Sequence, residues 1–337
     1  MSGSAIPVVD IAPFLSGGEA QKAAVAQAVD EACRRIGFLI VAGHGVPPAI
    51  VDDCLAATWA FFDQGDAEKR RWVSAKGDFR RGYLPAGGNA LAYTLDRESP
   101  PDLIEAFTFG RFDLPEEPYY TAHRETWFEP NIWPSRPPGF QAALCAYYRA
   151  MERLAETLMG IFALALDMPE AFFTDKIDRH ITAMRLNHYA EAERPPLPGQ
   201  LRAGAHTDYG SLTILLATQA AGGLQVRGGD GAWIDVDPVP GTFIVNLGDL
   251  MAQWTNDRWV STLHRVVNPP AERRAGSRRA SIAFFHQPNY DALIECLPTC
   301  RSPEKQARYA PTTSGAHLLA KTAKETGTAA DGSGGAG

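Results

Sequence analysis

The apolar positions change period along the chain, and that change divides it. Between residues 18 and 36, Ala24, Val25, Val29, Ala32, Cys33 and Ile36 recur at three- and four-residue steps, the spacing of one helical face. IPVVD at 6–10 and GFLIVAGH from 37 read as strands on either side, the second ended by Gly45 and Pro47-Pro48. A second helix is expected over 48–63, and Glu68, Lys69, Arg70 and Arg71 then read as a solvated face. Residues 76–136, rich in Gly, Pro, aromatic and charged residues, read as loops with short strands or helical turns. The strongest helix spans 138–167, where Leu144, Tyr148, Met151, Leu154, Leu158, Phe162 and Leu166 form a stripe suited to core packing. A short helix follows near 169–178.

From 179 to 287 the texture becomes β-rich. ITAMRLNHY, AGAHTD, LTILLA, LQVR, WIDV, TFIVNL, WVSTLHRVVN and RASIAFFHQ are separated by Gly222-Gly223, Gly228-Gly229-Asp230-Gly231, Pro238 and Pro240. Many short strands with this punctuation predict two packed sheets, a jelly roll. Asn268 to Gly276 reads as a hairpin-like excursion that returns the strand of His264 as the strand of Arg279. The expected fold class is mainly β with flanking helices (α+β), a double-stranded β-helix core braced by the long helix.

Candidate chemistry sits in the β-rich half. On a strand, His206 and Asp208 point to one face and Thr207 to the other, so an imidazole and a carboxylate converge. His264, in the alternating run Val260, Thr262, His264, Val266, can add a second imidazole. Two His and one carboxylate on one side of a metal make the facial triad of non-haem iron(II) oxygenases. Arg279 and Ser281 are likewise two apart, and a guanidinium fork with a hydroxyl beside it matches a carboxylate. Arg273, Arg274 and Arg278 read instead as exposed. Asn187 and Tyr189 share a face and could donate to a co-substrate's oxygens, whereas His188 points away. His44 reads as a structural residue at a strand end.

Composition mainly excludes. A hydrophobic share of 45% suffices for a sizeable core, and 337 residues allow one large or two modest domains. The net charge of −7, with no basic stripe, argues against nucleic acid as a partner. No apolar run reaches the length of a membrane span, and no signal peptide is expected from MSGSAIPVVD. Cys33, Cys54, Cys145, Cys296 and Cys300 form no CxxC and no zinc spacing, so reduced thiols and a cytoplasmic location are expected.

The order N-x-Y, H-x-D, H, R-x-S resembles the isopenicillin N synthase-like branch of the iron(II)/2-oxoglutarate-dependent oxygenases. IPVVDIAPFL, GFLIVAGHGVP (with Gly43 where an Asn usually stands), FFDQGDAEKRRW, RGY at 81–83 and DLIEAFTFG at 102–110 extend the likeness over roughly residues 5–290. The resemblance implies that His206, Asp208 and His264 ligate Fe(II). It implies that Arg279 and Ser281 hold the distal carboxylate of 2-oxoglutarate, with Asn187 and Tyr189 beside it. It implies a region 1–137 packed on the barrel and a core over 138–290 comprising the long helix and the catalytic jelly roll; a segment 291–322 follows, and the composition of the tail, 323–337, is that of a disordered end. The 76–136 region would close over the barrel mouth, making Tyr83, Tyr93, Phe107 and Phe109 cavity candidates; Phe285 shares the face of Arg279 and Ser281 under strict alternation.

The activity so implied is O2-dependent oxidation of an aliphatic C–H of a small molecule, by hydroxylation, desaturation or ring closure. 2-Oxoglutarate is decarboxylated to succinate and CO2, and ascorbate is a candidate reductant. Specialised metabolism is the expected setting. A 2-oxoglutarate-independent oxidase of the isopenicillin N synthase type uses the same triad, and R-x-S does not separate the two. A zinc hydrolase is disfavoured because the chain lacks an H-E-x-x-H, and a non-catalytic small-molecule-binding barrel would not need all three ligands. Substrate identity and oligomeric state are not readable from the sequence.

Overall fold

The structure is a computed structural model, and it describes residues 6–76, 80–88, 100–191 and 195–325. Tyr93 and the tail from 326 lie outside the described residues. The helices are α1 (Ala12–Ser16), α2 (Glu19–Arg35), α3 (Pro48–Phe62), α4 (Asp66–Arg70), α5 (Pro118–Thr121), α6 (Phe140–Ala165), α7 (Thr174–Ile177), α8 (Asp249–Trp254) and α9 (Ser314–Glu325). The strands of the first half are β1 (Val8–Asp10), β2 (Phe38–Ala42), β3 (Gly82–Leu84) and β4 (Glu105–Gly110). Those of the second half are β5 (Ala183–Tyr189), β6 (Ala203–His206), β7 (Leu212–Ala217), β8 (Leu224–Arg227), β9 (Trp233–Val236), β10 (Phe243–Leu247), β11 (His264–Val266) and β12 (Arg279–His286). A small ribbon of β13 (Leu293–Ile294) and β14 (Thr312–Thr313) precedes α9.

Two sheets face each other. The larger runs β1-β2-β10-β7-β12-β5-β4-β3, and the smaller runs β6-β11-β8-β9. All these pairings are antiparallel except β1 with β2. The outer face of the large sheet carries Met184, Leu186, Ile282 and Phe284 into one core with α2, α3 and α6. That core is why α6 has the widest apolar stripe: Leu144, Tyr148, Met151, Leu154, Leu158 and Phe162 are all buried in it. The inner face packs Phe38, Ile40 and Ile244 against Leu224, Val226 and Val236 of the small sheet. α3 starts at Pro48, where the missing N–H would have had no helical partner.

Four expectations change. Residues 76–136 carry the short strands and helical turn expected, but not all of the region lies over the barrel mouth, because β4 pairs with β5 along its whole length and is buried in the large sheet. The hairpin expected between His264 and Arg279 does not form, since β11 belongs to the small sheet and β12 to the large one. Residues 323–325, expected in the tail, end helix α9. Lys69 and Arg278, expected on solvated surface, join a polar network behind β5. Lys69 Nζ meets Glu105 Oε2 at 2.7 Å, and His188 Nδ1 meets Glu105 Oε1 at 2.6 Å. Tyr83 donates to the same carboxylate, while Arg278 donates to His188 Nε2 at 2.7 Å and to Asp63 at 2.5 Å. A buried carboxylate needs such partners, which local sequence does not reveal. Because Arg278 donates to Nε2, the proton of His188 sits on Nδ1 and points at Glu105.

Candidate active site

His206 ends β6 and His264 begins β11, and the two are direct cross-strand partners with ring centroids 4.3 Å apart. Asp208 lies beyond the end of β6, so the two-residue alternation that would bring it to the face of His206 does not operate. A loop contact does this instead. The N–H of Asp249 donates to the Asp208 carbonyl at 2.8 Å, and that of Leu250 to Gly210 at 3.1 Å, so the loop docks on the start of α8. The approach is close enough to require glycine: a Cβ on Gly248 would fall 2.2 Å from the Gly210 carbonyl oxygen.

The donors are aimed as well as adjacent. His206 Nε2 lies 3.8 Å and His264 Nε2 3.7 Å from Asp208 Oδ1. His206 Nδ1 donates to the Gly204 carbonyl at 2.7 Å and His264 Nδ1 to that of Thr262 at 3.0 Å. Both Nε2 lone pairs therefore face the common space. Asp208 Oδ2 accepts from Thr213 at 2.5 Å and from the Asn246 amide at 2.7 Å, leaving Oδ1 for that space. Donors bound about 2.1 Å from one cation sit roughly 3–4 Å apart, and these ligand atoms all lie within 4.8 Å of one another. Burial, with the second imidazole beside it, pushes the His206 pKa down. Burial would raise the Asp208 carboxyl, but the two imidazoles and the Asn246 and Thr213 hydrogen bonds outweigh it and hold the pKa below its usual value. Neutral imidazoles and an ionised carboxylate are the protonation states a divalent metal takes.

The registers of the large sheet map the rest of the inner face. Asn246, Thr213 and Phe285 form one row across β10, β7 and β12. The next row is Ile244, Leu215, Ala283, Arg185 and Thr108. Ala217, Ser281 and Asn187 form a third, and Arg279 faces Tyr189 beyond it. Arg279 is 3% exposed, yet among the described residues no carboxylate partners it. Its Nη1 reaches only the Gly222 carbonyl, at 3.4 Å, and its Nε is buried without a partner. Asn187 Nδ2 lies 3.4 Å from Ser281 Oγ, and Asn187 Oδ1 is also buried without a partner. A buried guanidinium with an unpartnered Nε, set beside the Ser281 hydroxyl, fits an incoming carboxylate, which needs donors. Burial pulls the Arg279 pKa down while Tyr189 raises it, and its guanidinium lies 5.5 Å from the Tyr189 ring.

Phe285 shares the row of Thr213 and Asn246, hence the end of the cavity where Asp208 is held. Tyr83 and Phe107 do not line the cavity. Tyr83 pairs with Phe107, and Phe107 with Leu186, whose side chain faces the helices. Phe107 is fully buried against Phe61 and Phe140, and Tyr83 donates to Glu105. Phe109 likewise packs on Trp133 and Tyr148. Sequence reasoning missed Thr213 and Asn246, though a polar residue inside each apolar run, LTILLA and TFIVNL, was a usable signal. It also missed Arg202, buried beside Arg279, with its guanidinium on the Ser277 carbonyl at 2.7 Å and the Ala221 carbonyl at 3.0 Å.

Known proteins resemble this chain over nearly its whole length. The family described as "2OG-Fe(II) oxygenase superfamily" matches residues 181–288, and "non-haem dioxygenase in morphine synthesis N-terminal" matches 6–136. The 2-oxoglutarate-Fe(II) type oxidoreductase hxnY of Emericella nidulans is 34% identical over 93% of this chain and 88% of its own length. The homoarginine-6-hydroxylase 2-ODD-233 of Oryza sativa subsp. japonica is 32% identical, over 94% of this chain and 96% of its own. Among solved structures, a full-length Neurospora crassa protein in complex with alpha-KG and thymine superposes with a TM-score of 0.81 at 30% identity, covering 94% of this chain and 96% of that one.

Proposed function

The chain belongs to the 2-oxoglutarate/iron(II)-dependent oxygenase superfamily, and we propose that His206, Asp208 and His264 are the ligands of its iron. It is a non-haem dioxygenase that acts on a small molecule, with iron(II) and 2-oxoglutarate as cofactors. Within that frame we assign Arg279 and Ser281 to the distal carboxylate of 2-oxoglutarate, Asn187 and Tyr189 to its flank, and Phe285 to the substrate side of the iron. Hydroxylation of an aliphatic C–H is the reaction proposed. The hydroxylase named among the relatives and the thymine complex of the Neurospora crassa protein support a small-molecule substrate.

One observation carries the assignment: the three donors are each turned toward one space by a hydrogen bond on their far side. A catalytically idle set would not need that orientation. Bound iron, 2-oxoglutarate and O2 supply the oxidising power, with succinate and CO2 as the products from the co-substrate. The chain's own residues bind, orient and exclude water. Asn246 and Thr213 keep Asp208 Oδ2 occupied so that Oδ1 stays free. Arg279 neutralises a carboxylate in a site that water does not screen, and Arg202 adds positive potential behind it. The apolar packing of Phe38 on the His264 ring, at 5.4 Å between centroids, closes one flank.

The direct test is O2-dependent release of labelled CO2 from 2-oxoglutarate carrying the label at its first carbon. Wild-type protein reconstituted with iron should release it, and Asp208→Ala should not. Iron-dependent O2 consumption with no decarboxylation would move the protein to the 2-oxoglutarate-independent oxidases.

A further inference from the structure

A second arginine faces the cavity, and the assignment above does not use it. Arg185 lies on β5 between Met184 and Leu186, whose side chains enter the helix-facing core, so alternation turns Arg185 to the inner face with Asn187 and Tyr189. Its charge is felt at the Tyr189 hydroxyl, in keeping with that direction. Its cross-strand neighbours are small, Ala283 on β12 and Thr108 on β4, which leaves space beside it. Arg185 Nε is buried and unpartnered, and among the described residues no hydrogen bond or ion pair reaches the guanidinium.

Its place in the sheet separates it from the 2-oxoglutarate anchor. It lies in the row between that of Thr213 and Phe285, beside the metal carboxylate, and that of Ser281 and Asn187. From Thr213, Arg185 is two strands across and one row along, which is about 12 Å between Cα atoms at ordinary sheet spacings. A long side chain and a small substrate span that distance together. The charges nearby are otherwise met. Arg279 has the co-substrate's carboxylate, and Arg202 is held by the Ser277 and Ala221 carbonyl oxygens.

We propose that Arg185 is a substrate-binding residue, and that the primary substrate is a small molecule with a carboxylate gripped by this guanidinium and an apolar carbon skeleton laid toward Phe285. A planar fork suits a carboxylate because two parallel N–H groups meet its two oxygens. The oxidised C–H then lies on the skeleton, on the metal side of the carboxylate. This inference rests on the iron and 2-oxoglutarate assignment made above.

The test uses matched pairs of probes, phenylacetate with phenylacetamide and hexanoate with hexanamide. Each is titrated calorimetrically and without O2 into full-length protein loaded with Fe(II) and 2-oxoglutarate. Each acid should bind at least tenfold more tightly than its amide. Arg185→Met and the planar, polar Arg185→Gln should both erase that preference, while Arg185→Lys, which keeps the charge and loses the fork, should retain part of it. In the same samples the visible absorbance of the Fe(II)–2-oxoglutarate complex should titrate with 2-oxoglutarate alike in wild type and variants. Acids that bind no better than amides, or fail to bind, would overturn the inference, as would a preference that survives Arg185→Met. Failure of 2-oxoglutarate to bind the iron-loaded wild type would instead overturn the underlying assignment, and this inference with it.

Discussion

Asn246 offers a test of how the metal carboxylate is held. Its amide donates 2.7 Å to Asp208 Oδ2, from the middle of β10 in a strand otherwise filled by Phe243, Ile244, Val245 and Leu247. Asn246→Leu keeps the branched shape and the number of heavy atoms and removes the donor. A hydrogen bond to a charged group contributes about 1.5–3 kcal/mol. Thr213 still caps the same oxygen, so the single variant should lose the lower part of that range. This corresponds to roughly a tenfold weaker affinity for the divalent metal. Adding Thr213→Val strips Oδ2 of both partners and lets the carboxylate rotate, and loss should approach about a hundredfold, the upper end for orienting partners of metal ligands. The two effects should be non-additive, since both donors act on one atom. Equilibrium dialysis of Fe(II) under argon, or of Co(II) in air, reads the affinity, and thermal unfolding without metal checks that the fold persists. A double variant that folds and binds metal as tightly as wild type would refute the claim that these groups orient Asp208.

Alanine at His206, Asp208 or His264 should abolish metal binding and decarboxylation while leaving circular dichroism unchanged, because the sheets are held by their apolar faces; full turnover in any of the three would end the iron assignment. Arg279→Lys should raise the KM for 2-oxoglutarate about ten- to a hundredfold, through loss of a hydrogen bond to a charged group, and Ser281→Ala less. A shift confined to the primary substrate would mean that Arg279 reads the substrate instead. Glu105 gives a pH signature. Burial raises its pKa, but hydrogen bonds from His188, Lys69 and Tyr83 bring it down to about 2 from an ordinary 4.5. A carboxyl depressed on folding stabilises above its unfolded pKa, and that stability, about 3 kcal/mol, is lost as pH falls from about 4.5 toward 2. Urea unfolding of wild type should weaken across that window, and Glu105→Gln should show a flatter profile; parallel profiles would refute the network's role.

Local periodicity determined much of this protein. The stripe from Leu144 to Phe162 specified α6, because a helix with that wide an apolar face must bury it, and the β-rich runs after 179 specified paired sheets. Arg279, Ser281 and Phe285 share a face because β12 is regular through all three. The motif order carried the family. Tertiary structure decided what periodicity cannot encode. Alternation says which residues share a face but not which face points inward, so Tyr83 and Phe107 took the helix side and Arg185 the cavity. Strand pairing is non-local, so His264 and Arg279, only fifteen residues apart, entered different sheets. β6 ends at His206, so the position of Asp208 rests on a loop docked against α8 and on donors from β7 and β10. Lys69, His188 and Arg278 read as unrelated polar groups until folding gathers them about the buried Glu105 carboxylate, Arg278 through His188, where desolvation forces them to satisfy one another.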